Sequence, residues 1–295
     1  MSYPTALPDV STKYLFDVKD KVILVTGGSS GLGTMMAASF VQNGAKVYIA
    51  SRKLTQLQEV TAQLNGIGKS SNSGGSCAYF VADLGTKAGC DSLVSQLKEK
   101  ESSLDVLVNN SGMSWGGPLS DEFPEVGWDR VMSTNVKSIF YLVAGLRPLL
   151  RKNATALNPG KVINVSSIAG IVPSAEGGLS KPGWGVYSYA TSKAAVNHLT
   201  GVLATSLAAE HINVNAIAPG TFPSKMTSFG FKNAEKELLA EQPTGRVGMA
   251  EDMAGLAMFL ASRASSHVTG AIIPVDGGAR LGAESVKTSR EKAKL

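Results

Sequence analysis

The sequence contains few of the residues that bind metal ions or form disulfide frameworks. Its 295 residues include three histidines and two cysteines, Cys77 and Cys90, and the cysteines show no metal-ligand spacing. We therefore expect free thiols in a reducing compartment and no metal site. No apolar run approaches the roughly eighteen residues that span a bilayer, and residues 1–9 lack the basic and apolar segments of a secretion signal. No membrane partner is expected.

The charge of the chain is positive but not concentrated. The formal net charge is +5, and the basic residues are scattered apart from a short cluster at residues 290–294. This distribution does not favour a nucleic-acid partner. The last three residues, Ala293-Lys294-Leu295, are similar to the Ser-Lys-Leu peroxisomal address, which a receptor reads at an exposed C-terminus. A cytoplasmic and a peroxisomal location are both open from the sequence.

Short apolar runs rich in β-branched residues alternate with segments of helical length. This alternation predicts a single-domain α/β fold with a Rossmann-type, doubly wound parallel sheet of about seven strands. The expected domain covers residues 19–280, between an N-terminal extension, 1–18, and a C-terminal tail, 281–295. Residues 65–76 and 173–186 are predicted to be irregular loops, because Gly, Ser and Pro are frequent there. The predicted strands are 22–26, 46–50, 77–81, 105–109, 161–166, 212–217 and 271–275.

A glycine-rich segment, Thr26–Gly33, directly follows the first predicted strand and opens a segment of helical length. A strand, a tight glycine turn and a helix N-terminus form a phosphate site, because the unpaired N–H groups and the helix dipole attract an anion. The glycines follow the pattern G-x-x-x-G-x-G and indicate a dinucleotide cofactor. The predicted contacts are Gly27, Ser29, Ser30, Gly31, Leu32 and Gly33.

The tip of the second predicted strand distinguishes NAD from NADP. An acidic residue there would hydrogen-bond a ribose 2′-hydroxyl and would repel a 2′-phosphate. Here the tip is Ser51-Arg52-Lys53, and an arginine can bind a phosphate through two N–H donors. NADP(H) is therefore the predicted cofactor. The alternative is that Arg52 is only a solvated cation at the start of a helix.

Tyr189 and Lys193 are four residues apart and would share one face of a helix. Reduction of a ketone leaves negative charge on the carbonyl oxygen, so a proton donor must lie beside that oxygen. Tyr189 is the predicted donor, and the Lys193 ammonium is expected to lower its pKa. Tyr187 competes for this role, but the residue four positions beyond it, Thr191, carries no charge.

The order of these motifs resembles the short-chain dehydrogenase/reductase family over residues 21–278. Ser111 stands where alanine is usual in the family. Residues 110–116, 210–215 and 222–227 are most similar to bacterial 3-oxoacyl reductases linked to rhamnolipid synthesis. Besides the glycine turn, the matching segments are Asp83-Leu84, Asn109-Asn110-Ser111-Gly112, Pro219-Gly220 and Asp276-Gly277-Gly278.

The resemblance implies a strand order of 3-2-1-4-5-6-7 and a catalytic tetrad. In this tetrad Ser167 orients the carbonyl, while Asn135 supports a water path that returns the proton. Ser167 is favoured over Ser166 because it precedes the apolar-Gly stretch, and because strand alternation directs Ser166 to the opposite side. Lys193 would also hydrogen-bond the nicotinamide ribose, and Ser224 would hold the nicotinamide carboxamide. The catalytic residues are Asn135, Ser167, Tyr189 and Lys193, and the further cofactor contacts are Asp83, Leu84, Asn110, Gly112, Tyr189, Lys193, Pro219, Gly220, Phe222 and Ser224.

These features predict an NADPH-dependent oxidoreductase that reduces a ketone to a secondary alcohol by hydride transfer. The resemblance implies a 3-oxoacyl thioester as substrate, whereas a secondary-metabolite ketone or a sugar ketone would use the same residues. Two other classes stay open: an NADP-binding protein without turnover, and a serine hydrolase with Ser29 as nucleophile in a G-x-S-x-G turn. In relatives, the helix expected near 123–151 and the helix that carries Tyr189 pair across subunits, which implies a homotetramer or homodimer.

The stretch between Ser167 and Tyr189 is longer than in most relatives. Its extra residues, near 176–184, either shape the substrate entrance or form a surface insertion. Large apolar residues elsewhere either line a substrate pocket or belong to the core. The candidates are Met113, Trp115, Trp184 and the segment 221–246.

Overall fold

In the part of the chain that the structure describes, seven parallel strands form one sheet. The computed structural model describes residues 8–176, 180–181, 183–233 and 235–282. The strands are β1 (Val22–Thr26), β2 (Lys46–Ser51), β3 (Ser76–Val81), β4 (Val106–Asn109), β5 (Gly160–Val165), β6 (Ile212–Pro219) and β7 (Ile272–Val275). Their order is β3-β2-β1-β4-β5-β6-β7, and every neighbouring pair is parallel. The predicted fold class and strand order are confirmed.

Helices cover both faces of this sheet. They are α1 (Thr12–Leu15), α2 (Gly31–Gln42), α3 (Leu54–Ser70), α4 (Lys87–Lys100), α5 (Glu125–Met132), α6 (Ser138–Arg151), α7 (Tyr187–Leu207), α8 (Ser228–Asn233), α9 (Glu235–Ala240) and α10 (Ala250–Ala261). Buried residues of α2, α3 and α10 form the core on one face, and those of α4, α6 and α7 form the core on the other. Strands covered on both faces are expected to be largely apolar, and β1 and β4 follow this pattern, whereas β5 and β6 also contain the buried residues Lys161, Asn164 and Asn215.

Successive side chains along a strand point alternately into the two cores. In β1, Leu24 lies in one core, while Ile23 and Val25 lie in the other. In β4, Leu107 and Val108 divide in the same way. Because all strands run in the same direction, their carboxyl ends meet at one edge of the sheet, where ligands of such folds bind.

One predicted helix is interrupted. The helix expected near residues 123–151 is present as α5 and α6, joined by a π-helical turn at Ser133–Lys137. The turn contains Asn135, whose side chain is buried and bonded to Met113. A π-turn inside a helix is often associated with a functional site.

The prediction of an irregular loop over residues 65–76 is wrong for its first half, because α3 continues to Ser70. Asn65 holds this part of α3 against β3: its amide donates to the Cys77 carbonyl at 2.9 Å and accepts from the Cys77 N–H at 2.8 Å. A Cβ at Gly68 would lie 2.3 Å from the Gly75 carbonyl oxygen. The small residues here therefore permit close packing rather than disorder.

Cys77 and Cys90 are free and buried, as expected for unreactive core thiols. Burial raises the pKa of Cys77 to about 12 and that of Cys90 to about 11, so both remain protonated. Within the described ranges, no helix is long and apolar enough to cross a membrane. The Ala293-Lys294-Leu295 tripeptide lies outside the described residues.

Candidate active site

The turn after β1 and the segment after β4 are joined by one threonine. The Thr26 hydroxyl oxygen accepts hydrogen bonds from the N–H groups of Asn110 and Ser111, both at 3.0 Å. In return, the Asn110 amide donates to the carbonyls of Thr26 at 2.9 Å and of Gly27 at 3.2 Å. These bonds bring the predicted glycine turn and the predicted Asn110–Gly112 segment into one wall.

Glycines allow the turn after β1 to pack closely within this wall. Gly27 has a φ of +63°, and a Cβ there would lie 2.8 Å from the Asn110 amide nitrogen. A Cβ at Gly33 would lie 2.4 Å from the Gly27 carbonyl oxygen. Ser30 precedes α2 without a side-chain capping bond and is exposed. The first N–H groups of α2 therefore point towards an open space, which is the arrangement that binds a phosphate group.

Two adjoining cavities lie along this edge of the sheet. The first, of about 290 Å³, contains Tyr189, Lys193 and Ser167, and the second, of about 260 Å³, contains the tip of β2. The first is lined by Gly27, Ser30, Gly31, Leu32, Asn110, Ser111, Gly112, Val165, Ser166, Ser167, Tyr189, Lys193, Pro219, Gly220, Phe222, Ser224, Lys225, Met226 and Thr227. The second is lined by Gly27, Ser29, Ser30, Ser51, Arg52, Lys53, Gln56, Ala82, Asp83, Leu84, Gly85, Ser111, Gly112, Met113, Thr134 and Lys225.

The second cavity has a basic end. The exposed side chains of Arg52 and Lys53 form no ion pair with a carboxylate in the described residues. The hydroxyl of Ser29, which is buried, donates to that of Ser51 at 2.9 Å. No described histidine lines either cavity, so a base for a Ser29 nucleophile is missing there. The arrangement suits an anion rather than hydrolase chemistry.

The first cavity brings together three of the four predicted catalytic side chains. Tyr189 and Lys193 lie on one face of α7, and Ser167 is the second residue after the end of β5. The Lys193 ammonium is 4% exposed, donates to the Val165 carbonyl at 2.8 Å and lies 5.5 Å from the centre of the Tyr189 ring. The Ser167 hydroxyl accepts from the Ala169 N–H at 3.1 Å.

The competing residues have other partners. The Ser166 hydroxyl is buried and donates to the Lys193 carbonyl at 3.1 Å, so it joins β5 to α7. The Tyr187 hydroxyl donates to the Glu176 carboxylate at 3.0 Å and faces a separate groove. The geometry therefore favours Ser167 and Tyr189 over their neighbours.

Asn135, the fourth predicted residue, lies behind the cavities and lines neither. It is 1% exposed, accepts from the Met113 N–H at 2.9 Å and donates to the Met113 carbonyl at 3.0 Å. Its amide also donates to the Ser192 hydroxyl at 2.9 Å. The side chain thus connects the segment after β4 to α7, beside Lys193.

Known proteins share this arrangement along most of the chain. The family model described as enoyl-(acyl carrier protein) reductase matches residues 27–280. The rhamnolipids biosynthesis 3-oxoacyl-(acyl-carrier-protein) reductase of Pseudomonas aeruginosa is 42% identical over 90% of this chain and 98% of its own length. The chain belongs to the short-chain dehydrogenase/reductase family.

One further relative and one solved structure are also similar to this short-chain dehydrogenase/reductase. The 2-dehydro-3-deoxy-D-gluconate 5-dehydrogenase of Dickeya dadantii is 34% identical over 89% of this chain and 96% of its own length. The solved structure of the Pseudomonas aeruginosa RhlG/NADP active-site complex is 41% identical, with a TM-score of 0.82, and covers 90% of this chain and 98% of that one.

Burial controls the ionisation of the two groups on α7. It raises the pKa of Tyr189, and a hydrogen bond with Ser167 opposes this only in part. Burial also lowers the pKa of Lys193 to about 8. The expectation that Lys193 lowers the tyrosine pKa is therefore wrong for this short-chain dehydrogenase/reductase on its own. The ammonium donates to Val165 instead, and desolvation of the phenolate is the largest cause of the raised pKa.

The segment after β6 forms the opposite wall of the first cavity. A Cβ at Gly220 would lie 2.8 Å from the Cα of Asp276, so the Pro219-Gly220 turn packs directly on the predicted C-terminal motif. The Asp276 carboxylate accepts from the N–H groups of Gly278 at 3.1 Å and Arg280 at 3.0 Å. These hydrogen bonds and the packing of Gly220 on Asp276 fix the wall that contains Phe222 and Ser224.

Three further residues of this wall, Lys225, Met226 and Thr227, fall in the segment 221–246 that was predicted to line a pocket or to belong to the core, but none of them was singled out as a cofactor contact. The other predicted apolar residues, Met113, Trp115 and Trp184, do not line the first cavity. Trp115 packs on Gly127, where a Cβ would lie 2.8 Å from its ring, and Trp184 is 41% exposed beneath the Lys181 ammonium. Neither tryptophan lines the cavity of Tyr189, and Met113 lines only the second cavity.

The long segment between Ser167 and Tyr189 attaches to the chain after β4. The N–H of Gly117 donates to the Gly185 carbonyl at 3.0 Å, and the reverse bond is 2.8 Å long. Residues 177–179 and 182, within this segment, lie outside the described residues. Residues 169–176 of this segment, together with Tyr187, line a groove distinct from the first cavity.

The Thr26 hydroxyl provides a direct test of the joined wall. Thr26→Val keeps the side-chain shape but leaves the N–H groups of Asn110 and Ser111 without this acceptor. We expect the free energy of unfolding, measured in urea, to fall by about 1–3 kcal/mol. Thr26→Ser retains the acceptor and serves as the control. Equal stability of the two variants would contradict the assignment.

Proposed function

We propose that this chain is an NADPH-dependent reductase that converts a ketone to a secondary alcohol. The observation that carries the proposal is the meeting of Tyr189, Lys193 and Ser167 in one cavity that adjoins the glycine turn. Membership of the short-chain dehydrogenase/reductase family supports it, as does the likeness to a solved complex with NADP.

The residues of both cavities fit a phosphorylated dinucleotide. Gly27 and Gly31 line the cavities at the start of α2, where backbone N–H groups suit a diphosphate, and Arg52 with Lys53 supplies cations for a 2′-phosphate. The carboxylate of Asp83 lies beside the same cavity and accepts from the Gly85 N–H at 3.1 Å, which reduces its free acceptor capacity. When bound, NADPH supplies the hydride.

The side chains of the first cavity donate the proton and hydrogen-bond the substrate carbonyl. Tyr189 donates its proton to the substrate oxygen as negative charge develops there. Its raised pKa keeps it protonated at neutral pH, which suits the direction of reduction. Ser167 hydrogen-bonds the same oxygen, and Lys193 holds positive charge next to the tyrosine ring. Asn135 holds the wall behind Lys193 and supports the return of the proton.

The proposed substrate is a 3-oxoacyl thioester. The likeness to the Pseudomonas aeruginosa 3-oxoacyl reductase supports this class, and the apolar residues Phe222 and Met226 are among those that line the cavity of Tyr189. The likeness to the Dickeya dadantii enzyme makes a sugar ketone the second candidate. The two classes differ in polarity, so a substrate panel separates them.

Tyr189→Phe should abolish ketone reduction while cofactor binding is kept. The purified wild-type protein should oxidise NADPH in the presence of a 3-oxoacyl thioester. The variant should be slower by about 10²–10⁴-fold, because the proton donor is lost. Initial rates at 340 nm and the binding of NADPH by fluorescence give the two readouts.

Tyr187→Phe is the matched control, since its hydroxyl contacts Glu176 and faces another groove. It should reduce the thioester at close to the wild-type rate. A Tyr189→Phe protein of nearly normal activity would refute the mechanism. Turnover of ketoses in preference to thioesters would replace the proposed substrate by the sugar ketone, and tight NADPH binding without any turnover would favour a non-catalytic protein.

The lowered pKa of Lys193 predicts the pH dependence of reduction. Its ammonium is present below about pH 8 and is lost as the pH rises through that value. The kcat/KM for NADPH reports the ionisation of the free enzyme, so it should decrease above about pH 8. Initial rates between pH 6 and pH 10 measure it. A constant kcat/KM across that range would show that the charge of Lys193 is not needed.

The proposal includes a homotetramer or homodimer built on α6 and α7. Phe140 on α6 is 51% exposed, and Val202 on α7 is 47% exposed. Val202→Glu places a charge on this apolar face and should shift the sedimentation coefficient to that of a smaller species. Val81→Glu, at an exposed apolar position on β3, is the control and should sediment as the wild type does. A Val202→Glu protein that sediments unchanged would exclude this face.

The proposed location of the protein is the cytoplasm. It is supported by the bacterial origin of the relatives described above. The peroxisomal alternative depends on the Ala293-Lys294-Leu295 tripeptide. When this tripeptide is transferred to the C-terminus of a fluorescent protein, the location of the fluorescence distinguishes a cytoplasmic from a peroxisomal protein.

A further inference from the structure

Lys225 has a position that the functions proposed above do not use. It lies in the segment after β6 and lines both the first and the second cavity. It also lines a third, outer cavity with Lys53 and Gln56. The side chain is exposed and makes no ion pair with a described carboxylate. Its ammonium is therefore available at the junction of the cavities.

The residues shared by the first two cavities define that junction. They are Gly27, Ser30, Ser111, Gly112 and Lys225. Lys225 is the one charged residue among them. The other four offer backbone groups and small side chains, and the first N–H groups of α2 begin at the same place. Positive potential from the helix and from the ammonium therefore converges on one small region.

The backbone before Lys225 lies directly above the start of α2. A Cβ built on Gly31 would lie 3.5 Å from the Cβ of Ser224. Thr227 fixes this segment, because its hydroxyl accepts from the Ser224 N–H at 2.9 Å and donates to the Phe222 carbonyl at 2.7 Å. Phe222 is 3% exposed and anchors the turn in the core. The lysine thus projects from a fixed turn.

We propose that Lys225 binds the diphosphate of the dinucleotide cofactor from the side opposite to α2. The inference rests on the proposed function, since it requires the nicotinamide half in the first cavity and the adenosine half in the second. The diphosphate that links the halves then crosses their junction. Lys225 neutralises part of its charge, while Arg52, which lines the second cavity and not the first, is assigned to the 2′-phosphate.

This division of roles determines the experiment. NADPH and NADH carry the same diphosphate, but only NADPH carries a 2′-phosphate. Lys225→Ala should weaken the binding of both cofactors by the same factor, about five- to tenfold. Arg52→Ala should weaken NADPH and leave NADH unchanged. Dissociation constants come from the fluorescence of the bound dihydronicotinamide, measured without substrate at two salt concentrations, and the affinity of the Lys225→Ala protein should depend less on salt.

Two variants serve as controls. Lys225→Arg keeps the charge and should retain most of the affinity. Lys232→Ala removes an exposed lysine of α8, outside the cavities, and should bind both cofactors as the wild type does.

Two results for Lys225→Ala would overturn the inference: unchanged affinity for both cofactors, or a loss confined to NADPH, which would place the ammonium at the 2′-phosphate. A wild-type protein that binds neither cofactor would instead refute the proposed function.

Discussion

The cofactor cleft depends on the hydroxyl of Thr26. This hydroxyl accepts hydrogen bonds from the N–H groups of Asn110 and Ser111. The Asn110 side-chain amide in turn donates to the carbonyls of Thr26 and Gly27 in the glycine turn. Without these bonds, the segments that follow β1 and β4 would be joined only through the strand pairing that ends at Val25 and Val108. Because they are fixed, the open N-terminus of α2 and the Gly112 segment form one continuous wall. The glycines can then leave the wall free of side chains without leaving it loose.

Burial is the second constraint, and it acts on the reacting groups themselves. Lys193 is almost fully buried, and its ammonium donates a hydrogen bond to a backbone carbonyl. The low polarity around it favours the neutral amine and, next to it, the protonated phenol of Tyr189. A protein that held both groups in water would have neither shift. The same burial thus brings the pKa of Lys193 close to neutral pH, while Tyr189 stays protonated.

Much of this site could be predicted from sequence because its motifs are local. The glycine turn, the Tyr189 and Lys193 pair and the Arg52 tip each lie within one short segment, so spacing alone indicates their chemistry. Ser167 was separable from Ser166 because strand alternation divides them. The direction of the Tyr189 pKa shift was not predictable, since it depends on burial that no local pattern encodes. For the same reason, Trp115 could not be distinguished from a substrate-pocket residue, and α3 could not be seen to continue past Asn65.

The sequence by itself determined the alternating order of strands and helices, the phosphate-binding turn and the basic tip of β2. Hydrophobic periodicity and glycine spacing are properties of neighbouring residues, so they can be recognised without knowledge of the fold. Only the tertiary structure decided that Lys225 stands where the two cavities meet, that Asn135 lies behind the wall rather than in the cavity, and that Lys193 is desolvated. These outcomes depend on which distant segments pack together, and that packing sets burial, distance and electrostatic environment.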